Sequence, residues 1–188
     1  MTEPPELILP KTLVLVGMMG AGKTAIGRRV AARLGLTFRD ADHEIEAAAG
    51  CDIPEIFRRH GEAAFREGER RVIARMLDLP VHVLATGGGA FVDPETRALI
   101  RGQAISVWLR ADFATLWSRV QRRDNRPLLK TENPQETLRR LIDQRYPIYA
   151  EADITVDSYA QPRDETARRV IEAVADYIAS EKEGRTGS

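Results

Sequence analysis

Gly17-Met18-Met19-Gly20-Ala21-Gly22-Lys23-Thr24 is the stretch on which the reading of this chain turns. It matches G-x-x-x-x-G-K-[ST], the Walker A phosphate-binding loop, at every fixed position. The apolar, β-branched run Leu13-Val14-Leu15-Val16 before it reads as a buried strand. After it, Ile26, Val30 and Leu34 recur at helical spacing, and Gly35 suits a helix end. A strand, a glycine-rich turn and a helix are the context this motif requires.

Each residue type has a physical reason. Glycines let the backbone turn sharply and bring its N–H groups against phosphate oxygens. The helix N-terminus adds free donors and a favourable dipole. Lys23 brings a positive charge to the β- and γ-phosphates, and the Thr24 hydroxyl can ligate Mg²⁺. The loop therefore predicts a bound nucleoside triphosphate and leaves the acceptor open.

Composition narrows the field. A chain of 188 residues is the size of one domain. Lys plus Arg and Asp plus Glu number 28 each, so overall charge points to neither nucleic acid nor anionic membrane. Cys51 is the sole cysteine, which excludes an internal disulfide and a cysteine-cluster metal site. No apolar run reaches the ~20 residues needed to span a membrane. Met1 to Pro10 lacks the basic start and apolar core of a signal peptide and reads as a flexible arm. Glu181 to Ser188 reads as a frayed polar tail. With no export signal, the expected location is the cytoplasm.

Strand candidates are Leu13–Val16, Thr37–Arg39, Val81–Ala85, Ile105–Leu109 and Ile154–Val156, the second weak in propensity. Helical stretches fall between them. Asp52-Ile53-Pro54, Asp93-Pro94, Asp112 and Asn133-Pro134 mark capped helix starts, and Gly50, Gly61 and Gly102 mark stops. The last helix, Asp164–Ile178, buries Val170, Val174 and Ile178. Alternating strands and helices predict an α/β fold, a parallel sheet covered on both faces. Ligands in such sheets sit beyond the carboxyl ends of the strands.

The residues at those ends carry chemistry. Asp40-Ala41-Asp42 follows the second strand, and its carboxylates would point the same way if the strand continued. Asp40 suits a Mg²⁺ role through water, and Asp42 suits holding an accepting hydroxyl and taking its proton. A helix cap with a solvated turn is the plainer reading of the pair. Thr86-Gly87-Gly88-Gly89-Ala90-Phe91 follows the third strand and offers backbone that a small ligand can approach. No acidic Walker B residue stands there, which shifts the metal burden toward Asp40. Arg119, Arg122, Arg123 and Arg126 cluster before Lys130 and suit a mobile lid, with Arg126-Pro127 closing on the phosphates. On general grounds Arg66 and Arg145 read as surface residues.

Taken together these segments resemble the shikimate kinase family. The resemblance covers Leu13 to about Ile178 and rests on G-M-M-G-A-G-K-T, D-A-D-H-E-I-E, I-P-E-I-F-R-R-H-G-E-A-A-F-R, G-G-G-A-F, R-P-L-L and Q-R-Y-P-I-Y, in order. Ala25 stands where a hydroxyl residue often follows the loop.

The resemblance implies a three-layer α/β/α fold of the P-loop kinase type with a five-stranded parallel sheet. It implies transfer of the γ-phosphoryl of ATP to the 3-hydroxyl of shikimate, a step toward chorismate and the aromatic amino acids. Shikimate would sit on Asp42, Arg66, Gly88 and Arg145, the arginines forking its carboxylate. Gly20, Ala21, Gly22, Lys23, Thr24 and Ala25 would hold ATP, with Arg126 on the phosphates, Arg119 against the adenine and Gln161 at its edge. Thr24 and Asp40 would serve Mg²⁺, and Lys23, Asp42 and Arg126 would be catalytic. Phe57 would belong to a substrate lobe over residues 42–77, beside a lid over 119–133, and the protein would be a monomer. The nearest rivals are a gluconate kinase and a nucleoside monophosphate kinase of the same fold. A rival of another class is an ATP-binding regulatory module without turnover, against which the intact acceptor-side residues argue.

Overall fold

The computed structural model describes residues 7–122, 129–159 and 161–186. Five strands, β1 Thr12–Val16, β2 Phe38–Asp40, β3 Val83–Ala85, β4 Ala104–Arg110 and β5 Ile154–Asp157, form one sheet in the order β2-β3-β1-β4-β5. Every pairing is parallel. The helices are α1 Lys23–Leu34, α2 Ala41–Ala49, α3 Ile53–Leu77, α4 Pro94–Gln103, α5 Phe113–Val120, α6 Pro134–Tyr149 and α7 Arg163–Thr186. They lie on both sides of the sheet, as the alternation predicts.

Burial follows position in the sheet. β1 and β3 are buried throughout, because both their faces are covered by helices. The edge strands β2 and β5 are only partly buried, which explains the weak apolar signal at 37–39. Leu13, Leu15, Leu84 and Leu109 from the central strands meet Ile26, Ile73, Met76, Ile100 and Leu116 from the helices in one core.

Capping accounts for the helix starts. Asp52, Asp93, Asp112 and Asn133 each accept a backbone N–H from the residue three positions on, as the sequence predicts. The expected stop at Gly61 is a kink inside α3, where φ is 81° and ψ is 175°. Glycine reaches this conformation without the steric cost other residues meet.

The described residues near both ends differ from expectation. Leu9 is buried and Leu7 packs on the core, so the last residues of the arm are tied down. The expected frayed tail from Glu181 is helical as far as Thr186, because α7 is anchored on the core and its Ala, Glu, Lys and Arg residues propagate the helix. α6 also runs past Arg145, through Pro147, to Tyr149.

Candidate active site

β1 and β3 are neighbours, with Leu15 opposite Ala85, so the loops leaving their carboxyl ends stand side by side. Thr86 fastens them, donating from N and from Oγ1 to Leu15 O at 3.2 and 2.8 Å. The triphosphate loop and the triple glycine are thereby two walls of one cleft of about 850 Å³. Asp40, Asp42, Phe57, Arg66 and Arg145 also line it.

The donor wall is strongly pre-wired. Gly22 caps α1 with φ 95°, a left-handed conformation, and no side chain blocks the first-turn N–H groups. Gly20 and Ala21 lead into this turn, and Ala25 lies on the first turn of the helix. Lys23 is buried and donates from Nζ to Gly17 O at 2.6 Å and Met18 O at 2.9 Å. Thr24 Oγ1 donates to Asp40 Oδ2 at 2.7 Å. Asp40 Oδ1 accepts from the N–H groups of Asp42 and His43, so one carboxylate caps α2 with one oxygen and meets Thr24 with the other.

The Asp pair is not held by the strand alternation that its spacing predicts. The strand does not continue to Asp42: it ends at Asp40, and α2 begins at Ala41. The two carboxylates share the cleft because Asp42 lies on the first turn of the helix, and not through alternation along a strand.

The acceptor wall is assembled from distant segments. Arg66 and Arg145, which read as surface residues in isolation, both reach the cleft. Arg66 donates from Nη1 to Glu69 Oε1 at 2.8 Å, and its guanidinium lies 5.1 Å from the centre of the Phe65 ring. Arg145 is buried, and its Nη1 has no hydrogen-bond partner. The glycines are the contact surface. A Cβ built on Gly87 would lie 2.8 Å from Asp42 Oδ1, and one on Gly88 would lie 3.1 Å from Arg145 Nη1. A side chain on Gly89 would run into the Arg66 guanidinium. The Phe57 ring lies 4.7 Å from that of Phe65, tilted by 37°, and forms an apolar part of the wall.

Two functional candidates escaped sequence reading. Glu69 is 1% exposed, and its Oε2 has no partner. Burial pushes its carboxyl above the usual range, the Arg66 guanidinium opposes this, and the charges of Asp42 and Asp93 add to it. The one available signal was its position three residues after Arg66 on a helix. Tyr149 is fully buried at the end of α6, and its hydroxyl donates to Gly88 O. It stood inside Q-R-Y-P-I-Y but had no assigned task.

The residues expected on the nucleotide side take separate places in the fold. Arg119 donates from Nη1 to Gly20 O and Ala21 O at 3.1 and 3.2 Å, and from Nη2 to Tyr159 O at 3.0 Å. It thus braces the donor loop from α5. The Gln161 amide donates to Thr166 Oγ1 at 3.3 Å, at the start of α7. Arg126 lies outside the described residues. Among the described residues, no group of three or more His, Cys, Asp or Glu is placed to hold a metal ion. No described helix is long and apolar enough to cross a membrane.

A parallel sheet with a Walker A loop after its first strand, beside a second cluster of charged acceptor groups, defines a P-loop kinase for a small molecule. The shikimate kinase family model matches residues 19–175. A shikimate kinase of Paramagnetospirillum magneticum is 59% identical over 172 residues, covering 92% of this chain and 88% of the relative. One from Caulobacter vibrioides is 57% identical over 164 residues, covering 87% and 82%. The solved shikimate kinase from Acinetobacter baumannii in complex with shikimate has a TM-score of 0.86 at 38% identity, covering 88% of this chain and 93% of that one. The chain belongs to the shikimate kinase family. It is an ATP-dependent phosphotransferase with an alcohol acceptor, which sets aside the gluconate and nucleotide kinase rivals.

Proposed function

We propose that this protein binds ATP on the Gly20–Ala25 turn and shikimate on Asp42, Arg66, Gly88 and Arg145, and passes the γ-phosphoryl group directly to the 3-hydroxyl. The observation that carries the acceptor assignment is the buried, unpartnered Nη1 of Arg145 beside Gly88, with Arg66 packed against Gly89. Two guanidinium groups on one glycine loop offer forked donors suited to a planar carboxylate. A neutral sugar would leave such buried donors poorly matched.

In the transfer, the shikimate oxygen forms a bond to the γ-phosphorus as the bond to the β-bridging oxygen breaks, leaving ADP. Asp42 orients the hydroxyl and takes its proton. Lys23 neutralises charge on the transferring group, as does Arg126 in the role the resemblance implies. The oxygen donors Thr24 Oγ1 and Asp40 Oδ2, 2.7 Å apart, suit a hard cation. Thr24 and Asp40 would hold Mg²⁺. The ion, when bound with ATP, would supply positive charge that draws off negative charge developing on the phosphates.

Arg119 and Gln161 border the adenine end of the site. The chain is one domain with a substrate lobe over residues 42–77 and a lid over 119–133. The family resemblance favours a monomer, acting on free small molecules in the cytoplasm with no nucleic acid or membrane partner. The test is ADP release from Mg²⁺-ATP with shikimate, with gluconate and nucleoside monophosphates as controls. Shikimate-dependent ADP formation is expected, and its absence sinks the assignment.

A further inference from the structure

We propose that the Tyr149 hydroxyl is a positioning group for the acceptor site, tying the Gly88 carbonyl and the Arg145 guanidinium to the donor loop. The inference rests on the reading of Arg145 and Gly88 as shikimate-binding groups. Tyr149 closes α6 with its ring fully buried, 5.8 Å from the Trp108 ring and 6.2 Å from that of Tyr146. Its hydroxyl donates to Gly88 O and lies 3.8 Å from Met18 Sδ of the donor loop. Arg145 stands four residues earlier on the same helix, which brings the two side chains onto one face.

Three parts of the site converge on Gly88. A Cβ there would lie 3.1 Å from Arg145 Nη1, 3.4 Å from Met19 N and 3.8 Å from Gly17 O. A run of three glycines has no side chains to hold its peptide planes, so their orientation must be imposed from outside. The peptide that carries Gly88 O also carries the Gly89 N–H on its opposite edge, and a fixed carbonyl therefore fixes that N–H. Burial pushes the Tyr149 phenol up to about 12, against the lowering effect of Arg145, so the hydroxyl keeps its proton and remains a donor. A phenylalanine ring would fill the same space, so packing alone does not call for this oxygen. It fixes the distance between a bound carboxylate and the phosphate donor.

Steady-state kinetics of Tyr149→Phe, with Tyr146→Phe as control, test this. The Tyr146 hydroxyl donates to Ala111 O, outside the acceptor wall. Tyr149→Phe is expected to raise shikimate KM about tenfold while ATP KM stays within about twofold. Tyr146→Phe should leave both KM values near wild type. In combination with Arg145→Lys, the Tyr149→Phe effect should shrink, because both act on one contact. A purely structural tyrosine would instead lower the folded fraction and leave both KM values alone. That result, or an equal rise in both KM values, overturns the proposal. Wild-type turnover measured alongside separates the two readings: no shikimate-dependent ADP from wild type overturns the functional assignment. Matching kinetics of wild type and Tyr149→Phe overturn only the role of Tyr149.

Discussion

The two walls of the cleft solve opposite problems. The donor wall is one continuous segment whose polar groups are engaged within the protein: Lys23 on Gly17 O and Met18 O, Thr24 on Asp40, and Arg119 on Gly20 O and Ala21 O. The acceptor wall is gathered from four segments and leaves Arg145 Nη1 and Glu69 Oε2 buried without partners. A buried donor or acceptor without a partner costs about 1–3 kcal/mol. The donor wall is therefore settled before substrate arrives, whereas the acceptor wall keeps the Arg145 Nη1 donor unpaired, and on the proposed function a substrate carboxylate would pair it. On the proposed function, specificity belongs to the second wall and phosphate chemistry to the first.

Substitutions can break this division. The largest effect is expected from Lys23→Ala. Loss of about 4 kcal/mol of transition-state stabilisation lowers kcat/KM about a thousandfold. Near-normal turnover would remove Lys23 from the chemistry. Arg145→Lys keeps the charge and loses the fork, so shikimate KM should rise about ten- to hundredfold with ATP KM little changed. Equal changes for both substrates would show that the walls do not divide the labour.

Glu69→Gln probes strain in the acceptor wall through stability. A carboxyl raised in the folded state keeps a proton that the unfolded chain has lost. Stability should therefore fall as pH rises from about 4.5 through the raised value, by at most about 1.4 kcal/mol per pH unit. In Glu69→Gln that fall should disappear, as read by urea unfolding between pH 4 and pH 8 (about the range in which carboxylates and histidine titrate). An unchanged slope would mean the acceptor wall is as relaxed as the donor wall. The smallest effect is expected from Cys51→Ser. Cys51 is partly buried at the turn between α2 and α3 and does not line the cleft, so activity should stay within about twofold of wild type.

The same division explains what could be read from the chain. The donor wall was legible because the strand, the glycines, Lys23 and Thr24 are contiguous, and their spacing dictates their geometry. The parallel sheet followed from alternating elements, and the helix starts from their caps. Arg66 and Arg145 became legible only through the family resemblance, because a charged residue in a helix carries no local mark of burial. Glu69 and Tyr149 stayed hidden for the same reason. Each is a polar residue in a helical run, and its partner lies across the fold or on the next helical turn. Polarity makes the tail from Glu181 read as frayed, although Glu181, Lys182, Glu183 and Arg185 are good helix formers that carry an anchored helix through Gly184 to Thr186.

The kink at Gly61 has a rotational consequence. Phe57 and Arg66 are nine positions apart in α3. At about 100° per residue, an unbroken helix would turn nine steps into about two and a half revolutions and aim the two side chains about 180° apart. Both nevertheless line the cleft. The single non-helical residue resets the phase of the helix, turning a rod with one inward face into two short blades that face the same cleft. An alanine at 61 would have to adopt φ 81° to preserve that phase, and the cost of doing so would fall on the placement of Phe57 and Arg66 together.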